Sequence, residues 1–165
     1  MKKILTILIC FSFNFIIGQG IEIIKINKYQ CAIFSKQYKL PNSELPVEKR
    51  FTPNVEEIKL FENQLYSEFK EFNKNNPNQI KSKKQIIFKN LKKYRRQYLG
   101  IINENGNKII FINFLWKKYN ILDAKSGKKE TDNSWKKEWK FIFDIGHENW
   151  YAKYNLNEKE IIIDF

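Results

Sequence analysis

The chain has 165 residues, 29% of them charged, and a formal net charge of +12 at pH 7. This length predicts a single domain that buries roughly two-thirds of its unfolded surface, so the fold needs neither a disulfide nor a metal to hold it together. The excess of lysine points to acidic partners. Lysine, asparagine and isoleucine are abundant along the whole chain, however, so a coding bias or a solubility requirement also explains the charge.

The first residues, MKKILTILICFSFNFIIGQG, have the pattern of a secretory signal peptide. Two lysines precede a mostly apolar run over residues 4–17, which is shorter than the roughly 20 apolar residues that a bilayer requires. Cys10 follows Ile9, whereas a lipid-attachment signal has a small residue there. We therefore predict a signal peptide over residues 1–18 and a single exported domain over residues 19–165, with a periplasmic or extracellular location.

Removal of residues 1–18 takes away Lys2 and Lys3, which lowers the net charge from +12 to +10, and leaves Cys31 as the only cysteine. No intramolecular disulfide is then possible. A lone thiol could join another chain or act as a nucleophile, but most such cysteines are small buried hydrophobic residues. We expect the same of Cys31.

The N-terminal part of the exported chain begins with IEIIKINKYQCAIF over residues 21–34. Its apolar alternation shifts phase once, which predicts one strand with a bulge at the shift. The next stretch, residues 35–50, contains two prolines and few apolar residues, and is predicted to be a loop.

One long amphipathic helix is predicted after this loop. Thr52 is its expected N-cap and Pro53 its first helical residue. Apolar residues then recur at spacings of three and four, at Val55, Ile58, Phe61, Leu65, Phe69 and Phe72. Because proline and its predecessor disfavour a helix, the helix should end near Asn75, Asn76 and Pro77.

The stretch YRRQYLGIINENGNKIIFINFLW over residues 94–116 predicts a β-hairpin around Asn105-Gly106, a dipeptide that favours a type I′ turn. That turn would pair Ile102 with Ile109 and Leu99 with Ile112. One face would then carry Leu99, Ile101, Ile110, Ile112, Phe114 and Trp116, and the other Tyr98, Gly100, Ile102, Ile109, Phe111 and Asn113. We expect the first face to be the core.

The remaining segments complete the predicted meander. Residues 81–93 favour a strand or an extended lead-in, and residues 123–134 a loop inside the polar, lysine-rich stretch 117–137. Residues 139–144 and 150–156 predict a second hairpin. Residues 161–165 predict a last strand, because so apolar a terminus must be paired in a sheet.

Together these elements predict an α+β domain in which one long helix packs on a four- to five-stranded antiparallel meander sheet. This order resembles the single-helix, antiparallel-sheet layout of cystatin-like folds, although the cystatin inhibitory loop sequence is missing. RQYLGIINENGNKIIFINF (Arg96 to Phe114) and FDIGHENWYAKYNL (Phe143 to Leu156) resemble segments of an uncharacterised group of small exported bacterial proteins. This resemblance implies an exported fold of the same kind and no chemistry.

No arrangement of residues predicts a reaction centre. His147, the single histidine, lies between Asp144 and Glu148, but three ligands without a second histidine are a weak metal site. Cys31 with His147 is a conceivable thiol nucleophile and base. Asp144, Glu148 and Asp164 could supply paired carboxylates, yet their spacing does not distinguish them from surface charges. We assign no catalytic residue, metal or cofactor.

The C-terminal half combines tryptophan and tyrosine with lysine. Core packing explains most of these rings, but Tyr119 and Trp135 are expected to be exposed. An exposed ring beside lysines can stack on a sugar or base while the ammonium groups bind phosphate, sulfate or uronate. The candidate binding residues are therefore Lys117, Lys118, Tyr119, Lys128, Lys129, Trp135, Lys136 and Lys137.

These observations favour a non-enzymatic exported binding domain, with an anionic polysaccharide, another anionic polymer or an envelope surface as its partner. The alternative is a protein–protein interaction module, such as an inhibitor, immunity or assembly factor, that uses the second face of the hairpin or the loops at one end of the sheet. A small hydrolase is a remote alternative.

Overall fold

The computed structural model describes residues 20–26, 29–41, 45–75, 83–117, 120–122, 129–131, 133–142 and 149–164. The predicted signal peptide lies outside these residues. The helices are α1 (Val55–Asn75) and α2 (Lys83–Asn90). The strands are β1 (Ile21–Ile26), β2 (Tyr29–Phe34), β3 (Arg50–Phe51), β4 (Tyr94–Ile102), β5 (Lys108–Trp116), β6 (Asn120–Leu122), β7 (Lys129–Thr131), β8 (Asn149–Asn155) and β9 (Glu160–Asp164). Short 3₁₀ turns cover Val47–Lys49, Leu91–Lys93 and Ser134–Lys136.

The fold is mixed α+β, with the long helix α1 on a seven-stranded sheet, which confirms the predicted fold class. The strand order is β1-β2-β4-β5-β8-β9, and β3 also pairs with β4. The predicted strand number, four to five, is wrong. The sheet is also not wholly antiparallel, because β2 and β4 are parallel, with Cys31 opposite Arg96. Helix α1 lies in the connection between these two strands, and such a crossover is what a parallel pair requires.

Residues 21–34 form two strands rather than the single predicted one. β1 and β2 are antiparallel, with Ile21 opposite Phe34 and Ile26 opposite Tyr29. The phase shift at Ile23 and Ile24 that we interpreted as a bulge lies within β1, where the pairing with β2 is regular, with Ile23 opposite Ala32 and Ile24 opposite Cys31.

Helix α1 matches the predicted helix in its apolar stripe and in its end at Asn75. Ile58, Phe61, Leu65 and Phe69 are buried against the sheet. The N-cap differs from the prediction, because Asn54 Oδ1 accepts the N–H of Glu57 and Glu57 Oε2 accepts the N–H of Asn54. This reciprocal pair is a capping box, so Asn54 replaces Thr52 as the cap.

The β4–β5 hairpin exists as predicted, but its register is shifted by one residue. Leu99 lies opposite Phe111 instead of Ile112. The turn explains the shift. Gly106 has φ +80°, and its N–H donates to the carbonyl of Asn103, whereas Asn105 is not among the described residues with positive φ. A connection with one left-handed glycine differs from a type I′ turn, which requires two left-handed residues.

Because of the register shift, each β4 side chain lies on the face of the sheet opposite to the predicted one, while the β5 side chains keep their faces. Ile110, Ile112 and Phe114 face α1 as predicted, but Tyr98 joins them, while Leu99 faces the other way. The sheet therefore has two cores. The first lies under α1. The second comprises Ala32, Phe34, Tyr38, Leu99, Trp135 and Trp139 on the opposite face.

Residues 83–90 form helix α2, where we predicted a strand or an extended segment. Ile87 and Leu91, four residues apart, are both buried in the first core, and the Phe88 ring stacks on that of Phe69 with centroids 5.9 Å apart. A short apolar segment does not distinguish strand from helix until its packing partner is known.

The C-terminal strands pair differently from the prediction. β8 pairs with β5, and residues 139–142 form no strand, so the second hairpin as predicted is wrong. Phe114 on β5 stacks on Trp150 of β8, with ring centroids 3.6 Å apart. β6 and β7 form a separate ribbon, and β7 lies within residues 123–134, where we predicted a loop; residues 123–128 lie outside the described part of the chain. The last strand, β9, is confirmed.

Candidate functional site

The candidate binding residues are spread over several parts of the fold. Lys117 follows β5 and is half-buried, Lys136 is half-buried in a 3₁₀ turn, and Lys137 beside it is exposed. Lys129 lies in β7. Three further predicted site residues, Lys118, Tyr119 and Lys128, lie outside the described residues.

Trp135 is not exposed as we predicted. Only 1% of its surface is accessible, because it packs in the second core with Phe34 and Leu99. A ring buried in this way cannot stack on a sugar, so its role is to position the residues that surround it.

Lys117 is held at the end of the β4–β5 hairpin by three contacts with residues before and within β4. Its Nζ donates to the carbonyl of Lys92 at 2.6 Å, and its N–H donates to the carbonyl of Lys93 at 2.8 Å. Its own carbonyl accepts a hydrogen bond from Nη2 of Arg95 at 3.4 Å. The backbone carbonyls of Lys92 and Lys93 and the guanidinium of Arg95 therefore hold Lys117 at one end of the sheet.

Trp135 connects this group to Lys136. The guanidinium of Arg95 lies 5.4 Å from the centroid of the Trp135 ring, and Nζ of Lys136 lies 5.7 Å from it. Both distances are in the range of cation–π contacts. We call the resulting surface the basic end, and it consists of Lys92, Lys93, Arg95, Lys117 and Lys136.

Partial burial and the positive charges around the basic end lower the pKa of one of its own residues, Lys117. The pKa of Lys117 is lowered from 10.5, first because the side chain is partly buried and then because the charges of Arg96 and Arg95 disfavour a further cation. An anion bound at this place would reverse the second effect. The surface is therefore better suited to an anion than to a cation.

Lys117 and Lys136 are among the binding residues predicted from the sequence, whereas Arg95, Lys92 and Lys93 are not. Arg95 is nearly buried and lies on the sheet face opposite α1, opposite Leu115 of β5. The sequence offered one signal for it: arginine is rare in this chain, and two arginines stand together at the start of the hairpin.

A cavity adjoins the basic end. Gln37, Tyr38, Lys39 and Lys137 line a cavity of about 400 Å³. The hydroxyl of Tyr38 accepts the N–H of Trp139 at 3.2 Å, which fixes the loop before β3 to the segment that carries Lys137. The amide and the two ammonium groups lining this cavity are all hydrogen-bond donors suited to an anion.

Cys31 is buried, as expected, and its surroundings disfavour the thiolate. Burial, and then the nearby Glu62 carboxylate, raise the pKa of its thiol from 9.0 to about 11, so the thiol stays protonated at neutral pH. Because the thiolate is the reactive form, this environment opposes the Cys31–His147 hypothesis. His147, Asp144 and Glu148 themselves lie outside the described residues.

The face proposed for protein–protein contact does not exist as predicted. Tyr98 is fully buried under α1, whereas Phe111 lies on the opposite side of the sheet.

Within the described residues, no group of three or more histidine, cysteine, aspartate or glutamate side chains is arranged to hold a metal ion. No helix in the same part of the chain has both the length and the hydropathy needed to cross a bilayer.

Comparisons with known proteins found no relative of this chain. A scan against protein-family models, a search of curated proteins and a search of solved structures each found no match to this chain. The resemblances to small exported bacterial proteins and to cystatin-like folds stay predictions.

Proposed function

We propose that the protein is a non-enzymatic exported binding domain whose basic end contacts an anionic polymer or an anionic envelope surface. The observation that carries this proposal is the chain of contacts from Lys92 through Lys117, Arg95 and Trp135 to Lys136. The contacts bring together residues that carry cationic side chains and are far apart in the sequence.

The arrangement suits a polymer better than a single small anion. The cations come from a 3₁₀ turn, the start of β4, the end of β5 and a second 3₁₀ turn, so they present donors along a surface. A polymer with several charges can meet several of these donors at once and releases its condensed counterions when it does so. The exposed Lys137 extends the same surface toward the adjoining cavity.

Binding of the purified protein to heparin, as a sulfated polysaccharide, and to polyphosphate tests the proposal. Because the attraction is mostly Coulombic, raising the salt from about 50 to about 200 mM should weaken binding by roughly 10²–10³ if five cations contact a polymer of nucleic-acid charge density. Absence of binding to both polymers at about 50 mM salt, or an affinity that salt does not change, would contradict the proposal.

A matched pair of variants distinguishes the effect of charges at the basic end on polymer affinity from the effect of the net charge of the protein. The test variant is Lys92→Gln/Lys93→Gln/Lys136→Gln, which removes three charges from the basic end. The control is Lys59→Gln/Lys70→Gln/Lys74→Gln, which removes three charges from the solvent-exposed side of α1. We expect the test variant to lose about tenfold or more in affinity and a large part of the salt dependence, while the control changes little. Equal losses would mean that net charge, not the basic end, attracts the polymer.

A further inference from the structure

A groove of about 320 Å³ lies on the sheet face opposite α1, away from the first core. Its floor consists of Leu99 and Ile101 of β4, Phe111 of β5, and Tyr151 and Lys153 of β8. Its walls come from the loop before β3 and from the segment after the last 3₁₀ turn, which contribute Leu40, Leu45, Trp139, Lys140, Phe141 and Ile142. The volume is within the range of small-molecule sites.

The groove is apolar and is lined by two cationic side chains. Apart from Asn113, Lys140 and Lys153, every side chain that lines it is aliphatic or aromatic, and no carboxylate is among the lining residues. Phe141 at its edge is 49% exposed, and so is Ile162, which lies next to Lys153 in the sheet. Large apolar side chains left partly in water favour a ligand that covers them.

Lys153 stands within an apolar row. Leu99, Phe111, Lys153 and Ile162 lie directly opposite one another on β4, β5, β8 and β9 and therefore share one face. Nζ of Lys153 is 5.4 Å from the centroid of the Phe111 ring and 5.9 Å from that of Tyr151. Its ammonium group thus remains beside the aromatic floor of the groove, where an anionic head group would meet it.

The wall formed by residues 139–142 is held in place before any ligand binds. Nδ2 of Asn113 donates to the carbonyl of Lys140 at 2.6 Å, and the N–H of Lys140 donates to Oε1 of Gln97 at 3.0 Å. Gln97 in turn donates to the carbonyls of Trp135 and Glu138. A site preformed in this way costs little to order when a ligand binds.

The floor excludes recognition of an extended peptide by strand addition. β4, β5 and β8 each have a neighbour on both sides, so their backbone N–H and C=O groups are already used in the sheet. Contacts in the groove must therefore be side-chain contacts: apolar along the floor and ionic at Lys153, with Lys140 nearby in an ion pair with Glu138.

We propose that this groove binds a small single-chain amphiphile with an anionic head, such as a medium-chain carboxylate. The hydrocarbon chain lies over Leu99, Ile101 and Phe111, and the carboxylate meets the ammonium group of Lys153. This site lies on the same face of the sheet as Arg95 but shares no residue with the basic end, and it does not depend on the proposed polymer binding.

The probes are hexanoate, octanoate, decanoate and dodecanoate, each used below the concentration at which it forms micelles. Binding is followed by calorimetry and by tryptophan fluorescence, because Trp139 lines the groove. Affinity should rise about fourfold with each added methylene until the groove is full. Decanol should bind at least threefold more weakly than decanoate, and decylamine more weakly still.

Two variants and a control locate the site. Lys153→Gln should weaken decanoate at least threefold and leave decanol unchanged. Ile101→Trp fills the groove and should abolish binding of both, with an unchanged far-ultraviolet circular dichroism spectrum and a cooperative urea unfolding transition as tests that the fold survives. Should Ile101→Trp not fold, Phe141→Ser at the exposed edge replaces it and should weaken both probes. Lys59→Gln on α1 is the matched charge control and should bind like the unchanged protein.

Three outcomes would overturn the proposal. The first is the absence of saturable binding by any carboxylate. The second is an affinity for decanoate that neither Lys153→Gln nor the groove variant lowers. The third is a concentration-dependent dimer that Phe141→Ser dissociates, because a second copy of the chain would then occupy the groove. None of these outcomes bears on heparin binding, so the two proposals fail separately.

Discussion

Arg96 of β4 and Glu62 of α1 form an ion pair in the interior, with Nε of the arginine 3.1 Å from Oε1 of the glutamate and both side chains almost fully buried. The same carboxylate oxygen accepts the hydroxyl of Tyr98 at 2.6 Å. Arg96 also donates through Nη1 to the carbonyls of Leu91 and Tyr94, and its guanidinium lies 3.6 Å from the centroid of the Tyr29 ring. This pair joins the helix, the sheet and the turn before β4.

Removing the carboxylate should therefore cost much of the stability. Burial alone would lower the pKa of Arg96, but the Glu62 carboxylate raises it on balance, so the guanidinium stays charged in the interior. Glu62→Gln leaves that charge without its counterion, and we expect the free energy of unfolding to fall by about 3–5 kcal/mol. Equilibrium unfolding in urea measures this change. Glu71→Gln, on an exposed position of the same helix, should change stability by less than about 0.5 kcal/mol. Similar losses in the two variants would refute the role of the pair.

Stability should fall at alkaline pH because of Cys31. The thiol has a pKa of about 11 in the folded state and 9.0 when unperturbed, since burial disfavours the thiolate. Below pH 9 both states are protonated, so this stabilisation is fully present. Between pH 9 and about 11 the unfolded chain loses its proton first, and the stabilisation is lost as pH rises, by about 2 kcal/mol.

Urea unfolding of the unchanged protein and of Cys31→Ala, each at pH 8 and at pH 10.5, isolates this contribution. The raised pKa of Tyr98 has the same sign above pH 10 and is shared by both proteins. The fall in stability should be smaller in Cys31→Ala. A fall of the same size in both proteins would rule out Cys31 as its source. The thiol of the folded protein should also react slowly with a thiol reagent at pH 8 and rapidly in urea.

Binding of a polyanion at the basic end should be coupled to proton uptake. The lowered pKa of Lys117 rises when an anion offsets the neighbouring arginine charges, so the complex binds more protons than the free protein. Calorimetric titration with heparin at about pH 9.5, in two buffers of different ionisation enthalpy, measures the number of protons. Lys117→Arg keeps the charge but cannot titrate in this range, and its uptake should be smaller. Unchanged uptake in this variant would show that Lys117 is not at the binding surface.

Gly100 should tolerate no side chain. A Cβ atom there would lie 2.5 Å from the backbone oxygen of Phe51 and 2.8 Å from its ring, because β3 pairs closely with β4 at this position. Gly100→Ala should lower the free energy of unfolding by about 1–3 kcal/mol. The control is Gly106→Asn, where a Cβ meets nothing within 4 Å and asparagine tolerates the positive φ. It should lose less than about 1 kcal/mol in the same thermal or urea unfolding experiment, and a larger loss than in Gly100→Ala would contradict this explanation.

Local patterns in the sequence determined the elements that depend on nearby residues. The apolar spacing of three and four fixed helix α1 and its buried side, since a helix repeats every 3.6 residues whatever it packs against. The Asn-Gly pair located the hairpin, and the apolar C-terminus predicted β9. Burial of Cys31 also followed from its residue type.

Tertiary structure decided whatever depended on a distant partner. The Asn-Gly pair is compatible both with the predicted type I′ turn and with the observed turn, which differs from it by one residue in register. The observed register places Tyr98 under α1 and Leu99 in the groove. Neither the parallel pairing of β2 with β4 nor the antiparallel pairing of β8 with β5 has a local signal, because strands of similar composition pair equally well when only their own sequences are considered. The prediction that Trp135 is exposed was wrong because the residues that cover its ring, among them Arg95, are distant in the sequence and approach it only in the folded chain. The sequence by itself therefore determined helix α1 and the strands β4, β5, β8 and β9, while the basic end and the groove exist only through long-range pairing of the strands.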